Sequence, residues 1–343
     1  MPYTCKMETV NIKKLAQTLN LSISAVSKAL RDSHDISKET KEKVLKLAAE
    51  LNYQPNPYAS SLRRHKSKTI AVIIPEIANN FFTLAINGIE SVAQEKNYHV
   101  LIYLSHEDLD KEAALTRYLH GGRVDGVLIS VASTTTDYEH LHQLEENGVP
   151  IVFFDRVCDG FNTVKVTTDD YESSYLATRH LIEQGCKKLA HISMSDNISI
   201  GKKRKHGFIQ AMKDFGLQIH DSCLVEGASD SARNLAVVKK LLEEGRPDGI
   251  FAAVEQYALS SYEACRQLDL NIPRDVKIIC FSNLKTASLL NPSLTTITQP
   301  AFEMGREAAT TLFKALDKKH FQLNNENHII KSVLVPREST ARE

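Results

Sequence analysis

The hydrophobic positions follow two different periodicities along the chain. Over residues 9–51, apolar side chains recur every three or four positions, as on one face of a helix. From Thr69 onward, short apolar runs alternate with longer segments of helical spacing. This alternation is typical of parallel sheets covered by helices, so we predict an α/β fold for the larger part of the chain.

The first part of the chain has the pattern of a helix-turn-helix. Its three helices are predicted to begin after Asn11, Ser22 and Ser37, because each of these side chains can accept a hydrogen bond from the first helical turn. Asn20 and Leu21 separate the first two helices, which are therefore joined by a tight turn. Three short helices with this connection fit a helix-turn-helix.

A polar segment with two prolines, residues 52–57, follows the third helix and predicts a domain boundary. Asn56 and Pro57 are suited to begin a further helix, but its span of 58–63 is so short that it is marginal alone in water. We therefore predict a helix-turn-helix domain over 9–55, a hinge helix and linker over 56–68, and a core over 69–343.

The core has enough strands for two lobes. We expect about nine, among them 70–75, 99–104, 126–131, 150–155, 164–168, 188–194, 249–254 and 277–282. Two doubly wound lobes of parallel sheet suit this number better than one sheet. We place lobe 1 at about 69–163 and 292–327 and lobe 2 at about 164–291 and 328–343, with crossings near Val164, Pro292 and His328. A ligand cleft is expected between the lobes, at the carboxyl ends of the strands.

The charge of the chain changes at the same boundary between head and core. The formal net charge is zero, from 42 Lys+Arg and 42 Asp+Glu, but residues 1–68 carry +7 and the remaining residues carry −7. A basic head on an acidic body indicates that the head contacts a polyanion such as nucleic acid. The plain alternative is a surface bias without function.

The composition also bears on where the protein works. No apolar run approaches the roughly 20 residues of a membrane helix, and the N-terminus lacks the pattern of a signal peptide. The six cysteines, at 5, 158, 186, 223, 265 and 280, include no CxxC pair and are interpreted as reduced thiols. We therefore expect a cytoplasmic protein without a membrane partner.

The motifs of common enzymes and cofactor sites are missing from the sequence. The turn after the first strand, 75–80, contains no glycine, no GxGxxG follows that strand, and GxxxxGK[ST] does not occur. There is no GxSxG, no HExxH and no Cys/His cluster with metal spacing. We predict no cofactor, no metal and no enzymatic activity.

The residues of the head resemble a known family. The head and hinge segment is similar to the DNA-binding part of LacI/GalR-family bacterial transcription regulators; it reads VNIKKLAQTLNLSISAVSKALRDSHDISKETKEKVLKLAAELNYQPNPYASSLRR. Core segments match family blocks in order, among them IAVIIPEIANNFF, RVDGVLIS, PIVFFDR, RKHGFIQAM and LVPREST, so the resemblance covers about 9–340. It implies a periplasmic-binding-protein-like fold for the two-lobed core. The core blocks alone would also suit periplasmic sugar-binding proteins.

The resemblance implies which side chains of the head contact DNA. Ile23 and Ser24 take the base-reading positions of the second helix, with Lys28 one turn later. Isoleucine can contact a thymine methyl, serine can bond to several bases, and lysine can approach a guanine or a phosphate. Packing in the core of the head is the alternative for Ile23. The family's phosphate-contacting positions are held by Asn11, Ser22, Ser27, Arg31, Ser37 and Thr40.

In the hinge, Ala59 and Leu62 match the pair that family members insert into the minor groove. Two hinge helices, one from each subunit, would then wedge a central base step with paired leucines, which bends the DNA and adds contacts. The marginal stability of this helix lets it order on DNA and melt when the core pulls the pair apart.

The resemblance also places an effector between the lobes of the core. The predicted binding residues are Asn79, Phe81, Phe82, Asp155, Asp169, Arg204, Glu255 and Ser282. Ser282 replaces the Asp, and Val254 with Glu255 the Asn-Asp pair, that usually bond ligand hydroxyls in the family. The effector is therefore open: a common hexose, another carbohydrate, a phosphorylated or acidic metabolite, or none. For Phe81, burial in the core is the alternative.

We predict a sequence-specific repressor that binds a palindromic operator as a homodimer and is controlled by a small molecule in the cleft. The chain ends soon after LVPREST without a leucine heptad, so no tetramer built by a terminal coiled coil is expected. The competing interpretations are a sugar-binding protein for transport, a metabolic enzyme, and a regulator whose core only dimerises.

Overall fold

A computed structural model describes residues 11–53, 66–228, 230–317 and 323–342 of the chain. The chain divides into two units, Met1–Ser67 and Lys68–Glu343, which we call the head and the core. The predicted hinge helix at 58–63, with Ala59 and Leu62, lies outside the described residues.

Three short helices make up the described part of the head: α1 (Ile12–Thr18), α2 (Ile23–Ala29) and α3 (Lys38–Glu50). As predicted, the side chains of Asn11, Ser22 and Ser37 each accept a hydrogen bond from a backbone N–H of the following helix, at 3.1, 3.1 and 3.3 Å. The turn between α1 and α2 passes through Asn20 at φ 51°, a left-handed conformation that asparagine tolerates.

The head has a hydrophobic core of its own. Leu15 of α1, Val26 of α2 and Val44 of α3 are 0% exposed at its centre. One stripe of each helix supplies this core, so the other faces are left to solvent, including Ile23 and Leu45. The packing therefore holds the first turn of α2 on the surface.

Lobe 1 of the core is a six-stranded parallel sheet with helices on both faces. Its strand order is β11-β5-β4-β3-β1-β2. On β1, Ile70, Val72 and Ile74 pack in one hydrophobic cluster, whereas Ala71 and Ile73 pack in the cluster on the other face. The elements are β1 (Thr69–Ile74), α4 (Asn80–Glu95), β2 (His99–Leu104), α5 (Leu109–Leu119), β3 (Gly126–Ile129), α6 (Glu139–Glu146), β4 (Ile151–Phe154), β5 (Lys165–Thr168), and, late in the chain, α11 (Ala301–Asp317) and β11 (Asn327–Ile330).

Lobe 2 repeats this plan with one antiparallel edge strand. Its strand order is β12-β10-β9-β8-β6-β7, and only β12 runs against its neighbour. The elements are α7 (Asp170–Glu183), β6 (Leu189–Ser193), α8 (Ser199–Asp214), β7 (Leu224–Glu226), α9 (Ser231–Lys240), β8 (Gly249–Ala252), α10 (Glu255–Gln267), β9 (Lys277–Phe281), β10 (Thr295–Thr298) and β12 (Val333–Val335). The predicted α/β fold with two doubly wound lobes is confirmed.

The chain crosses between the lobes three times, between β5 and α7, between β10 and α11, and between β11 and β12. The crossings predicted near Val164, Pro292 and His328 are therefore each several residues too early. Pairing of Phe154 with Val166 keeps β5 in lobe 1, and β10 belongs to lobe 2 because it pairs with β9. The sheet to which a strand belongs depends on its pairing with strands that are distant in the sequence. The local pattern of apolar residues does not indicate this pairing.

The described residues contain twelve strands, where the sequence predicts about nine. The strands that the prediction does not name are β7, β10, β11 and β12. Each is only three or four residues long and none contains an apolar run of more than three residues; β7, β11 and β12 are in addition partly exposed edge strands.

Two further features bear on the environment of the protein. Every helix among the described residues is too short or too polar to span a bilayer. The cysteines that the structure describes are free and buried. Burial raises the pKa of the Cys186 and Cys265 thiols to about 12, so both stay protonated at neutral pH.

Candidate functional site

The first turn of α2 presents the predicted base-reading side chains to solvent. Ile23 is 40% exposed and Ser24 is also exposed, while Val26 and Ala29 of the same helix fill the core of the head. Packing of Ile23 in that core, the alternative considered from the sequence, is therefore wrong. A helix that offers its first side chains to solvent has the geometry with which helix-turn-helix proteins enter the major groove.

Lys28, the third predicted base-reading residue, is held by an ion pair. Its Nζ lies 2.9 Å from Asp35 Oδ2, and His34 Nε2 lies 2.9 Å from Asp35 Oδ1. The sequence analysis missed Asp35, because it lies in the loop before α3 and no motif links it to Lys28. A carboxylate at this place offsets the charge of the lysine and orients its side chain.

The predicted phosphate-contacting residues are ordered by contacts within the head. Three of them are the helix caps described above. Arg31 donates from Nε to the Ser27 carbonyl at 2.9 Å and from Nη2 to Ser27 Oγ at 3.1 Å. Thr40 Oγ1 lies 2.9 Å from Ser37 Oγ. Each of these side chains thus has a partner that restricts its rotamers before any ligand is bound.

A cleft between the two lobes lies at the carboxyl ends of the parallel strands. Seven of the eight predicted effector-binding residues line it: Asn79, Phe81, Phe82 and Asp155 from lobe 1, with Arg204, Glu255 and Ser282 from lobe 2. The sequence analysis missed other lining residues, among them Arg156, Met194, Phe281, Asn283 and Gln299. The free volume is about 40 Å³, which holds only a few water molecules.

The aromatic wall of the cleft belongs largely to the core of lobe 1. Phe81 and Phe82 are 6% and 1% exposed and meet edge to face, with ring centroids 5.3 Å apart. Asn79 begins α4 beside them, and its Oδ1 accepts a hydrogen bond from Phe81 N at 2.9 Å. Burial of Phe81, the alternative considered from the sequence, is confirmed, and little of either ring is left to contact a ligand.

Arg204 is buried at the floor of the cleft rather than solvated. Its Nε donates to Asp170 Oδ1 and its Nη1 to the Ala253 carbonyl, both at 2.7 Å. The guanidinium also lies 3.8 Å above the ring of Phe281. Nη2 lies 2.7 Å from Asp170 Oδ1 but makes no hydrogen bond of good geometry with the described residues.

Asp155 follows β4 in a left-handed conformation, at φ 61°, and is 5% exposed. Ser130 Oγ donates to its Oδ2 at 3.4 Å. Burial raises the pKa of this carboxyl to about 6, although Arg156 and Arg204 act in the opposite direction. A strained, buried carboxylate is costly to keep in a fold and is characteristic of functional positions.

Asp169 does not line the cleft, contrary to the prediction that it faces the same gap as Asp155. Its Oδ1 instead accepts from Ser332 N at 2.7 Å and from Ser173 Oγ at 3.0 Å, which ties the start of α7 to the last crossing. The carboxylate that reaches Arg204 is that of Asp170, the first residue of α7. Consecutive side chains at a helix start point in different directions, so Asp169 and Asp170 contact different parts of the core.

Glu255 and Ser282, the positions that depart from the family pattern, contact each other. Ser282 Oγ donates to Glu255 Oε2 at 2.8 Å. The other carboxylate oxygen, Oε1, accepts from Asn80 Nδ2 at 2.8 Å, and Asn80 belongs to the opposite lobe. The sequence analysis missed Asn80, whose position in the first turn of α4 looks like that of an ordinary helix residue.

Arg156, which is buried, forms the second ion pair beside the cleft. Its Nη1 contacts both carboxylate oxygens of Glu107, at 2.7 and 2.8 Å. Burial opposes the ionisation of Glu107, but Arg156 and the backbone N–H of Ser133 outweigh it and hold the pKa of that carboxyl below its usual value. Both guanidinium groups at the cleft are thus already neutralised by carboxylates.

Comparisons with known proteins agree with the fold and with the head. Residues 11–56 match the family model described as bacterial regulatory proteins, lacI family, and residues 67–343 match periplasmic binding proteins and sugar binding domain of LacI family. Catabolite control protein A of Priestia megaterium is 32% identical over 90% of this chain and 93% of its own length. The regulator RegA of Clostridium saccharobutylicum is 31% identical over 96% of this chain and 99% of its own.

A solved structure of similar fold covers both the head and the core. It is the lac repressor dimer bound to operator and the anti-inducer ONPF, with a TM-score of 0.84 and 22% identity over 97% of this chain and 100% of that chain. The model of residues 11–56 and the full-length relatives describe transcription regulators, a family without enzymatic activity. The chain therefore belongs to the LacI family of bacterial regulatory proteins and is a DNA-binding transcriptional regulator.

Proposed function

We propose that the protein is a repressor that binds a palindromic operator as a homodimer, and that a small molecule in the interlobe cleft controls this binding. The observation that carries the proposal is the exposed first turn of α2, where Ile23 and Ser24 face solvent although the helix builds the core of the head. An exposed isoleucine contributes little to the stability of the head alone. Its apolar surface is buried, with a gain in binding free energy, when the side chain contacts a thymine methyl.

In this proposal, Ile23, Ser24 and Lys28 read bases in the major groove. The residues that contact phosphates are Asn11, Ser22, Ser27, Arg31, Ser37 and Thr40. Their contacts within the head support these roles, because a side chain that is already ordered loses less entropy on binding. The net charge of +7 over residues 1–68 adds attraction to the DNA backbone.

The hinge and the domain boundaries are part of the same proposal. We assign DNA reading to 9–55, the hinge to 56–68 and effector binding with dimerisation to 69–343. Ala59 and Leu62 enter the minor groove at the centre of the operator, where paired leucines wedge a base step. The structure of similar fold that is a repressor dimer on operator supports the dimer.

The cleft is the proposed effector site, formed by Asn79, Phe81, Phe82, Asp155, Arg204, Glu255 and Ser282. An effector changes DNA affinity only if it binds one arrangement of the lobes better than the other, by typically about 1–3 kcal/mol. Because its target is chromosomal DNA, the protein acts in the cytoplasm and is associated with the nucleoid when it occupies its operator.

The test is selection of bound duplexes from a random-sequence pool by the full-length protein. We expect enrichment of one inverted repeat, and a different preferred base under the first turn of α2 when Ile23→Ser is selected in parallel. A matched control, Leu45→Ser, changes an exposed apolar residue of α3 and should enrich the wild-type motif. A pool that stays random after selection would overturn the proposal.

A further inference from the structure

The cleft is lined by two arginines, Arg156 and Arg204, and two carboxylates, Asp155 and Glu255, and each arginine already has another carboxylate as its ion-pair partner. Arg156 is paired with Glu107, and Arg204 with Asp170. Among the described residues, neither Asp155 nor Glu255, which also line the cleft, has a cation within ion-pair distance. The cleft therefore presents two carboxylates that have no ion-pair partner of their own among the described residues.

Both carboxylate oxygens of Glu255 accept a hydrogen bond, but neither donor carries a positive charge. Its two oxygens accept from the Asn80 amide and the Ser282 hydroxyl, both at 2.8 Å, and both donors are neutral. A carboxylate oxygen can accept more than one hydrogen bond, so Glu255 retains capacity for a further donor. A cationic donor would add both a hydrogen bond and the missing charge compensation.

Asp155 of lobe 1 and Arg204 of lobe 2 add two incompletely bonded polar groups to the lining of the cleft. Asp155, 5% exposed, has a single side-chain hydrogen bond, the 3.4 Å contact with Ser130 Oγ, within the part of the chain that the structure describes. Arg204, 2% exposed, has an Nη2 without a well-formed hydrogen bond there. Buried polar groups in this state are costly unless a bound molecule completes them.

Resting on the proposed role of the cleft as the effector site, we propose that the effector is an amino sugar. Its ammonium group pairs with Glu255, and its hydroxyl groups donate to Asp155 and accept from Arg204 Nη2. The ammonium takes the place of the Asn80 amide. Because Asn80 and Glu255 belong to opposite lobes, binding exchanges a bond between the lobes for a bond to the ligand.

The same arrangement disfavours anionic ligands. A sugar phosphate would need a free guanidinium fork, but both arginines at the cleft are engaged with carboxylates. It would also lie near the carboxylates of Asp155 and Glu255, which repel it. Of the effectors that the sequence left open, this inference therefore disfavours a phosphorylated or acidic metabolite.

The test is calorimetric titration of the full-length protein with matched sugars. The probes are D-glucosamine, D-galactosamine and D-mannosamine, their parent hexoses, and the 6-phosphates of those hexoses. We expect one amine to bind at least about tenfold more tightly than its parent hexose, and the phosphates to bind more weakly than the parents. Glu255→Gln should reduce the preference for the amine to about threefold or less, whereas Glu172→Gln, at an exposed position of lobe 2, should preserve it.

Three results would overturn this inference: preference for a phosphate, an amine preference that survives Glu255→Gln, or no binding of any amine at millimolar concentration. The same preparations are assayed for the selected operator. Normal operator recognition without amine binding removes the inference and leaves the proposed function standing, whereas loss of operator recognition removes the proposed function. Circular dichroism melting of each variant confirms that it is folded.

Discussion

Asn80 Nδ2 donates a 2.8 Å hydrogen bond to Glu255 Oε1, and this bond joins lobe 1 to lobe 2 across the cleft. On the far side of Glu255, Ser282 Oγ donates to Oε2, so the carboxylate is fixed from both sides. Glu255 of α10 in lobe 2 and Asn80 of α4 in lobe 1 thus hold the two sides of the cleft together. With only about 40 Å³ of free space, the cleft must open before a sugar enters.

Replacing Asn80 with Ala should loosen the closed cleft. A hydrogen bond to a charged acceptor contributes about 1.5–3 kcal/mol, and that stabilisation of the closed arrangement is lost. We expect a lower melting temperature of the core and a larger radius of gyration by small-angle X-ray scattering. Asn162→Ala, at an exposed position of lobe 1, serves as the control. Identical scattering of the two variants would contradict this role of Asn80.

Local chemistry explains what the sequence predicted well. The helix starts at Asn11, Ser22 and Ser37 depend on a side chain and the three residues that follow it, so they are readable from the chain alone. The exposure of Ile23 follows from the apolar stripe of the same helix. Most of the cleft was also predictable, because strand ends at one sheet edge bring their following residues together.

What the sequence did not predict depends on distant partners. Strand β10 was assigned to the wrong lobe because its sheet is chosen by pairing with β9. Asp169, which was expected to face the cleft, turns to Ser332 instead, and the pairing of its neighbour Asp170 with Arg204 was not predicted. The bonds of Lys28 to Asp35 and of Asn80 to Glu255 join residues that no local pattern connects.

Asp155 should make the stability of the core depend on pH. Its folded pKa is raised to about 6, so its protonated form stabilises the fold at low pH and this contribution is lost as pH rises through 6. Asp155→Asn keeps a neutral side chain at every pH, and asparagine tolerates the left-handed backbone. We expect a gain of up to about 3 kcal/mol at pH 8 and none at pH 4.

Urea unfolding at several pH values measures this difference. Asp159→Asn, which removes the same charge from an exposed position, is the matched control and should show no such gain. A gain for Asp155→Asn that is equal at pH 4 and pH 8 would show that charge burial is not its cause.

The buried pair of Arg204 and Asp170 should behave as one unit. Arg204→Met leaves the Asp170 carboxylate buried without its cation, which typically costs about 3–5 kcal/mol of stability. Adding Asp170→Asn removes that charge and should recover a large part of the loss. The free energies of unfolding of the wild type, the two single variants and the double variant give the coupling energy between Arg204 and Asp170. If the losses of the two single variants simply add in the double variant, the pairing is contradicted.

Asp35 should weaken contact of the head with DNA of any sequence. Asp35→Asn releases Lys28 and removes a negative charge beside it, so the variant neutralises about one more phosphate. We expect tighter binding to a random duplex, with a log–log salt dependence steeper by about 0.9. Glu39→Gln also releases a lysine, Lys43, from an exposed pair on α3 and is the control. An unchanged slope in Asp35→Asn would show that Lys28 does not approach the phosphates.

The central claim, sequence-specific regulation through the head and hinge, is tested most directly by equilibrium binding to two duplexes over a range of salt. One duplex carries the inverted repeat recovered by selection, and the other has the same bases in scrambled order. The account predicts at least about 10³-fold tighter binding to the repeat at physiological salt, and a large loss of that preference in Leu62→Ala. Equal affinity and equal salt dependence for the two duplexes would contradict it.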